Sequence, residues 1–130
     1  KKLFGKRPKI GILGLNPHNA ELNSNSEEVR IINPAILKLK KKGFYVEGPL
    51  SADTLFINNY KKYDVIVGMY HDQVLTPFKS LFQFDAINIT LGLDYLRVSP
   101  DHGPAKDRIN KNTANHLSLL SCVKFINRLN

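Results

Sequence analysis

Four histidines punctuate the chain at His18, His71, His102 and His116, and two of them directly follow apolar, β-rich runs. His18 comes just after Lys9–Leu15 (KIGILGL), and His71 just after Tyr63–Met69 (YDVIVGM). Neutral imidazoles bind zinc and other first-row divalent ions well. In an open α/β sheet, ligands settle in the crevice at the carboxyl ends of the strands. The spacing therefore sends His18 and His71 to one region of space and predicts a shared divalent-metal site. His102 lies in the loop after the last predicted strand, within reach of the same region. Asp53, Asp72 and Asp101 sit in the connecting loops as ligands, orienting groups or bases. A lone loop histidine is more often an ordinary residue bonded to backbone, and His116, inside a predicted helix, reads as a surface residue.

A second group is basic and polar. Asn88 interrupts an apolar strand, Arg97 lies on another, and Lys79 stands between them and the histidines in sequence. Buried polar groups need partners, and a ligand phosphate or carboxylate would supply them. The plainer alternatives are a solvated lysine and a structural amide. Basic groups beside metal ligands predict an anionic small molecule, held by charge and activated by a Lewis acid.

The elements that must position these residues follow from pattern and punctuation. Lys9–Leu15 reads as a strand ending at the Asn16-Pro17 turn, and residues 19–26 as an Asn/Ser-rich loop. Ser26 before Glu27 and Glu28 is a helix N-cap signal, Pro34 is expected to kink or split that helix, and Gly43 to cap its end. Its apolar stripe is Ile31, Ile32, Ala35, Ile36 and Leu39, with Lys38, Lys41 and Lys42 on the solvated face. Phe44–Gly48 reads as a second strand and Ala52–Tyr60 as a short helix. Tyr63–Met69 is a third strand, apolar enough to be buried on both faces. One or two helical turns are expected over Gln73–Ser80 despite Pro77, then strands at Ala86–Leu91 and Tyr95–Val98. Asp101–Lys111 reads as a long functional loop. A closing helix spans Thr113–Leu129, with Leu117, Leu120, Val123 and Ile126 as its inward stripe. Alternating helices and apolar strands predict an α/β fold, a mostly parallel sheet with helices on both faces.

Composition narrows the class. The chain has 130 residues, 42% hydrophobic and 23% charged, as an ordinary globular domain does. No apolar run approaches the roughly 20 residues that span a bilayer, so no membrane partner is expected. The single cysteine, Cys122, forms no internal disulfide, which fits an intracellular, cytoplasmic protein. The formal net charge is +8, but arginines are few and aromatics rarely interleave with the lysines. A basic, solvated surface explains that balance better than a nucleic-acid platform. The first residue is Lys1 rather than Met, so the chain reads as a piece of something longer.

Five runs occur in one order: Gly14–His18 (GLNPH), Gly48–Phe56 (GPLSADTLF), Met69–Gln73 (MYHDQ), Asn88–Leu93 (NITLGL) and Ser99–Gly103 (SPDHG). Together, over nearly the whole chain, they resemble the C-terminal part of the 4-hydroxythreonine-4-phosphate dehydrogenase family of pyridoxal phosphate (vitamin B6) biosynthesis. The resemblance implies an isocitrate/isopropylmalate dehydrogenase-like fold. Residues 1–130 would form the C-terminal portion of a metal- and NAD-dependent dehydrogenase, with the N-terminal portion outside this chain. It implies a homodimer with a shared active site and NAD(P)-dependent oxidation of 4-phosphooxy-L-threonine to 2-amino-3-oxo-4-phosphooxybutanoate, with decarboxylation. His18 and His71 would be two of three histidine ligands to a divalent ion such as Zn, Mg, Mn or Co. Lys79, Asn88 and Arg97 match the substrate-binding positions, and Lys79 and Asp72 are the catalytic candidates. His102, Gly103 and Asp107 resemble the HG-x-A-x-D adenine-side loop, which makes His102 a cofactor contact rather than a metal ligand.

Several family glycines are exchanged here. YHDQG becomes YHDQV at Val74, and the AGK-type turn becomes Ile109-Asn110-Lys111. LGLP becomes LGLD at Asp94, DHGTA becomes DHGPA at Pro104, and the glycine-rich loop after NPH is replaced by an Asn/Ser-rich run. A divergent dehydrogenase acting on another phosphorylated or carboxylated hydroxy acid, or a non-catalytic metal- or anion-binding module, would share the retained residues. The chain alone is expected to be inactive.

Overall fold

The computed structural model describes residues 5–19 and 23–129, which form two compact units, 1–77 and 78–130. In the first unit, β1 (Lys9–Leu13) is the middle strand of a three-stranded parallel sheet. β2 (Tyr45–Leu50) flanks it on one edge and β3 (Val65–Val67) on the other, in the order β2-β1-β3. Ile10, Gly11 and Ile12 stand opposite Val65, Ile66 and Val67.

The helix between β1 and β2 begins where Ser26 predicts: its hydroxyl accepts the Val29 N–H at 3.3 Å. As expected of Pro34, the helix divides there into two segments. Glu28–Ile32 form a π-helical turn, with Asn33 N–H bonding back five residues to the Glu28 carbonyl. The α-helical part, α1 (Asn33–Lys41), then starts with Pro34 in its first turn, where no intrahelical N–H is required. At the other end, Gly43 and Phe44 donate to the Lys40 and Leu39 carbonyls at 2.9 and 3.1 Å, a Schellman closure. Ile32 and Ile36 are buried against Ile12 and Val46, with Ile10, Leu39 and Met69 around them. Ile31 stays 63% exposed, so the helix buries only the narrower part of the predicted stripe.

The second sheet face carries a polar cluster, and β3 is not buried on both sides as expected. Val65 and Ile66 are half-buried and Val67 is exposed, on an edge strand of the described sheet. Lys9 Nζ lies 2.8 Å from Glu47 Oε1 and over the rings of Tyr45 and Tyr63, while the Tyr63 hydroxyl donates to Glu47 Oε2 at 2.8 Å. Asp64 accepts the Lys9 N–H at 2.9 Å and pairs with Lys6. From β2 the chain passes through α2 (Ala52–Thr54) and two further short helical turns, with Leu55 buried, before entering β3.

After β3, α3 (His71–Phe82) is longer than predicted and starts earlier, so His71 and Asp72 lie on its first turn rather than in a loop. An acidic residue there complements the helix dipole, and the helix continues through Pro77. Val74 packs against the backbone just before it: a Cβ on Gly68 would lie 2.6 Å from Val74 Cγ1.

In the second unit, β4 (Ile87–Thr90) and β5 (Arg97–Pro100) pair antiparallel with each other. This differs from a mostly parallel sheet, and its cause is loop length. Residues 91–96 suffice for a hairpin, whereas a parallel crossover needs a dozen residues or more. α4 (Leu117–Asn127) packs on this hairpin, but not by the predicted stripe. Leu117, Leu120, Val123 and Ile126 are exposed, while Ser118 and Cys122 are buried. The Ser118 hydroxyl donates to the Ala86 carbonyl and accepts the Asp101 N–H, fixing the rotation of α4 by a polar anchor. Among the described residues no helix is long and apolar enough to cross a membrane.

Gly68→Ala is expected to destabilise the fold by about 1–3 kcal/mol through overpacking against the stiff Val74 side chain. Urea unfolding measures this, and adding Val74→Ala is expected to restore most of the loss. The polar cluster on the sheet generates a second expectation. The ammonium of Lys9 and the Tyr63 hydroxyl hold the Glu47 carboxyl below its ordinary value, and the Lys9 N–H followed by Lys6 does the same for Asp64. Carboxyls depressed on folding stabilise the native state above their unfolded pKa and lose that contribution as pH falls. The thermal midpoint should therefore decline below about pH 4, the ordinary carboxylate value, and Glu47→Gln should flatten that decline.

Candidate functional site

Chain order reverses between β1 and β3: the chain runs from β1 to β2 on one edge and returns to β3 on the other. The carboxyl ends of two such strands form the natural crevice of an open α/β sheet. His18 follows β1 and His71 follows β3, so both predicted metal ligands follow the carboxyl ends of these neighbouring strands.

The loop bearing His18 is tied on several sides. Buried Glu28 accepts the Asn16 N–H at 2.7 Å. That bond, reinforced by the neighbouring Leu15 N–H, holds its carboxyl below the ordinary value despite burial. A Cβ on Gly14 would lie 2.1 Å from Asn19 Oδ1 and 3.2 Å from Glu28 Oε1, so glycine permits this close approach. Asn16 Oδ1 accepts the His18 N–H at 2.8 Å, and the Ser51 hydroxyl reaches the Pro17 carbonyl at 2.7 Å. Asn19 Nδ2 donates to the Pro49 carbonyl at 3.1 Å.

Both imidazoles are largely exposed, and each has a carboxylate on one ring nitrogen. His18 Nε2 is 3.3 Å from Asp53 Oδ2, and His71 Nδ1 is 2.7 Å from Asp72 Oδ1. Asp53 is itself held below its ordinary pKa, first by the Ser51 hydroxyl and then by the charge of His18. Carboxylate–histidine pairs of this kind orient metal-binding imidazoles. They leave His18 Nδ1 and His71 Nε2 as the nitrogens available to an ion. Among the described residues, no three His, Cys, Asp or Glu side chains converge as a complete metal group. Two imidazoles with carboxylate partners fit part of a divalent-ion site.

In the second unit, the predicted anion-binding residues fall on two features. Asn88 and Thr90 share a face of the β4–β5 hairpin with Ser99 and Arg97, their cross-strand partners. Asn88 is exposed rather than a buried interruption, and Arg97 Nη1 donates to Thr90 Oγ1 at 2.9 Å. Lys79 on α3 is no free lysine: its Nζ lies 2.9 Å from Asp101 Oδ2 and also bonds the Asp101 carbonyl. The third predicted group does come together. His102, Gly103 and Asp107 line an open pocket of about 480 Å³ with Phe84, Arg108 and Asn115. His102 stands edge-on to Phe84 at 6.4 Å between ring centroids. Asn110 takes φ +63°, the left-handed conformation that the family glycine at this turn would adopt freely and that asparagine tolerates better than most residues.

Residue reasoning from sequence missed Glu28 and Gln73 as builders of the site. Gln73 is buried and bonds to both strand ends, donating to the Gly14 carbonyl at 2.7 Å and accepting the Met69 N–H at 2.8 Å. Both sit beside residues that were singled out, Glu28 in a capping signal and Gln73 in the MYHDQ run.

Comparison with known proteins identifies the family. A 4-hydroxythreonine-4-phosphate dehydrogenase of Sulfurihydrogenibium sp. (strain YO3AOP1) is 48% identical over 126 residues, covering 95% of this chain and 39% of the relative. A protein of Oceanobacillus iheyensis, provisionally named a D-threonate 4-phosphate dehydrogenase, is 46% identical over 121 residues, covering 91% of this chain and 36% of the relative. The crystal structure of 4-hydroxythreonine-4-phosphate dehydrogenase from Klebsiella pneumoniae superposes with a TM-score of 0.77 at 38% identity, over 95% of this chain and 38% of that one. The chain thus spans about two-fifths of the length of the curated relatives it matches. Residues 1–126 match the family described as pyridoxal phosphate biosynthetic protein PdxA, and the chain belongs to that family.

Proposed function

We propose that this chain is the C-terminal portion of a metal- and NAD(P)-dependent dehydrogenase that oxidises 4-phosphooxy-L-threonine in pyridoxal phosphate biosynthesis. The observation that carries the reading is the pair of histidines at the carboxyl ends of β1 and β3, where chain order reverses. The fold assigned to the whole protein is isocitrate/isopropylmalate dehydrogenase-like. Its remaining metal ligand lies in the preceding part of the chain, and the working form is a homodimer with a shared site.

His18 and His71 would hold the divalent ion, with Asp53 and Asp72 fixing ring orientation. A bound divalent ion supplies Lewis acidity to the substrate hydroxyl and to the ketone formed from it. NAD(P), held beside His102, Gly103 and Asp107, would supply the hydride acceptor for oxidation of the substrate alcohol. The residues of this chain bind and orient. Arg97 presents a guanidinium for bidentate recognition of phosphate or carboxylate, and Asn88 on the same hairpin face adds an amide donor. Lys79, held by Asp101, places a cation and its protons at a fixed point, suited to binding the substrate and moving a proton. The pocket of His102, Gly103 and Asp107 accommodates the adenine side of the cofactor.

The near-equal identity to the Oceanobacillus iheyensis relative favours a second reading, in which the substrate is D-threonate 4-phosphate. Both compounds are phosphorylated hydroxy acids and place the same demands on Arg97, Lys79 and the metal.

The full-length protein is expected to reduce NAD(P) in the presence of 4-phosphooxy-L-threonine faster than with D-threonate 4-phosphate, and the reverse order establishes the second reading. His18→Ala and His71→Ala should each weaken divalent-metal binding by about tenfold or more, measured by calorimetric titration. Unchanged affinity in both removes the metal assignment. Separately, Arg97→Ala and Lys79→Ala should raise the substrate KM by roughly 10- to 100-fold, the worth of one charged hydrogen bond. The 130-residue chain alone should show no turnover.

A further inference from the structure

The parallel ladder between β1 and β3 ends at Ile12 and Val67, and its register would next bring Leu13 to Gly68 and Gly14 to Met69. At that last position the two backbones do not bond to each other. The side-chain amide of Gln73, from the first turn of α3, stands between them. Its Nε2 donates to the Gly14 carbonyl at 2.7 Å, and its Oε1 accepts the Met69 N–H at 2.8 Å. A primary amide offers the same donor and acceptor as a peptide group, so Gln73 acts as an inserted rung that continues the ladder across a wider gap.

We infer that Gln73 is a positioning residue that sets the separation of the two strand ends and thereby the reach between His18 and His71. This rests on the metal-binding reading of those histidines. Gly14 lies four residues before His18 and Met69 two before His71, so the amide grips both arms of the crevice near their roots. The side chain is buried, at 7% exposure, where unpaired polar groups are costly, and both its oxygen and its nitrogen are engaged. On the His18 side, Glu28 secures Asn16 at 2.7 Å, so movement of the gap is carried to the histidine rather than absorbed by its loop. Glutamine has the length to reach both groups. Methionine has similar length without the amide, and asparagine has the amide without the length.

The test uses the full-length protein, with Co²⁺ as the probe. Gln73→Met is expected to bind Co²⁺ roughly 10- to 100-fold more weakly and to alter its d–d absorption spectrum, the cost typical of losing a group that orients metal ligands. Gln73→Asn should move both readouts in the same direction, by about tenfold in affinity. A residue that served only the fold would lower the thermal midpoint of the metal-free protein and leave the affinity and spectrum of the folded variant unchanged. That result in either variant overturns the inference, as does failure of both variants to fold. His71→Ala separates the two claims. If it and His18→Ala both keep wild-type Co²⁺ affinity, the metal-site reading fails; if either loses affinity while Gln73→Met does not, only the role of Gln73 fails.

Discussion

Parallel pairing of β1 on both of its edges is the constraint from which the first unit follows. A strand paired on both sides has no edge of its own, and its neighbours must be reached by crossovers rather than tight turns. The first crossover supplies α1, which buries Ile32 and Ile36 against Ile12 and Val46. The second returns the chain past β1 to its opposite edge. That change of direction splays the connections apart at the carboxyl ends and opens a crevice there. Topology brings both histidines to the carboxyl ends of neighbouring strands.

Topology places the residues, but buried polar anchors fix them. Glu28, Gln73 and Ser118 are among the few buried polar residues, and all three bond backbone groups at the ends of elements. A buried carboxylate or amide depends on the hydrogen bonds it makes, so each anchor is costly to misplace. Apolar contacts tolerate small sliding, since their energy depends on area rather than direction. Directional bonds at 2.7–3.0 Å do not. The apolar cluster therefore supplies the stability of the first unit, and the polar anchors determine where its loops point.

This division explains what was legible in the sequence. Strand cores, the Ser26 cap and the Gly43 closure were readable because periodicity and capping act over a few residues. The stripe on α4 was misread because hydropathy ranked Leu117, Leu120, Val123 and Ile126 above Ser118, whose two backbone bonds decide which face turns inward. The antiparallel β4–β5 pair was hidden by strand composition, although the short connection over residues 91–96 carried the signal. Among the candidate site residues, the histidines, Asn88 and Arg97 stand out by chemical type alone. Gln73 does not, because its importance depends on Gly14, which is remote in sequence.

Charge is where overall composition misleads most. The formal charge of +8 suggests a broad basic field, yet several of the cations are already paired: Lys9 with Glu47, Lys6 with Asp64, and Lys79 with Asp101. The lysines at the end of α1 are exposed to solvent, where charges more than about 8 Å apart are largely screened at physiological ionic strength. Affinity for the proposed anionic substrate would then come from oriented short-range groups. On the hairpin face that demand falls on Arg97, whose guanidinium is steadied by Thr90 at 2.9 Å and has no carboxylate opposite it in the strand register. Lys79 is the complement: its Asp101 partner lowers its net attraction for anions but fixes its position. Under the proposed function, one group would favour strength of binding and the other precision of placement, the division of labour needed to hold a phosphorylated acid and also move a proton.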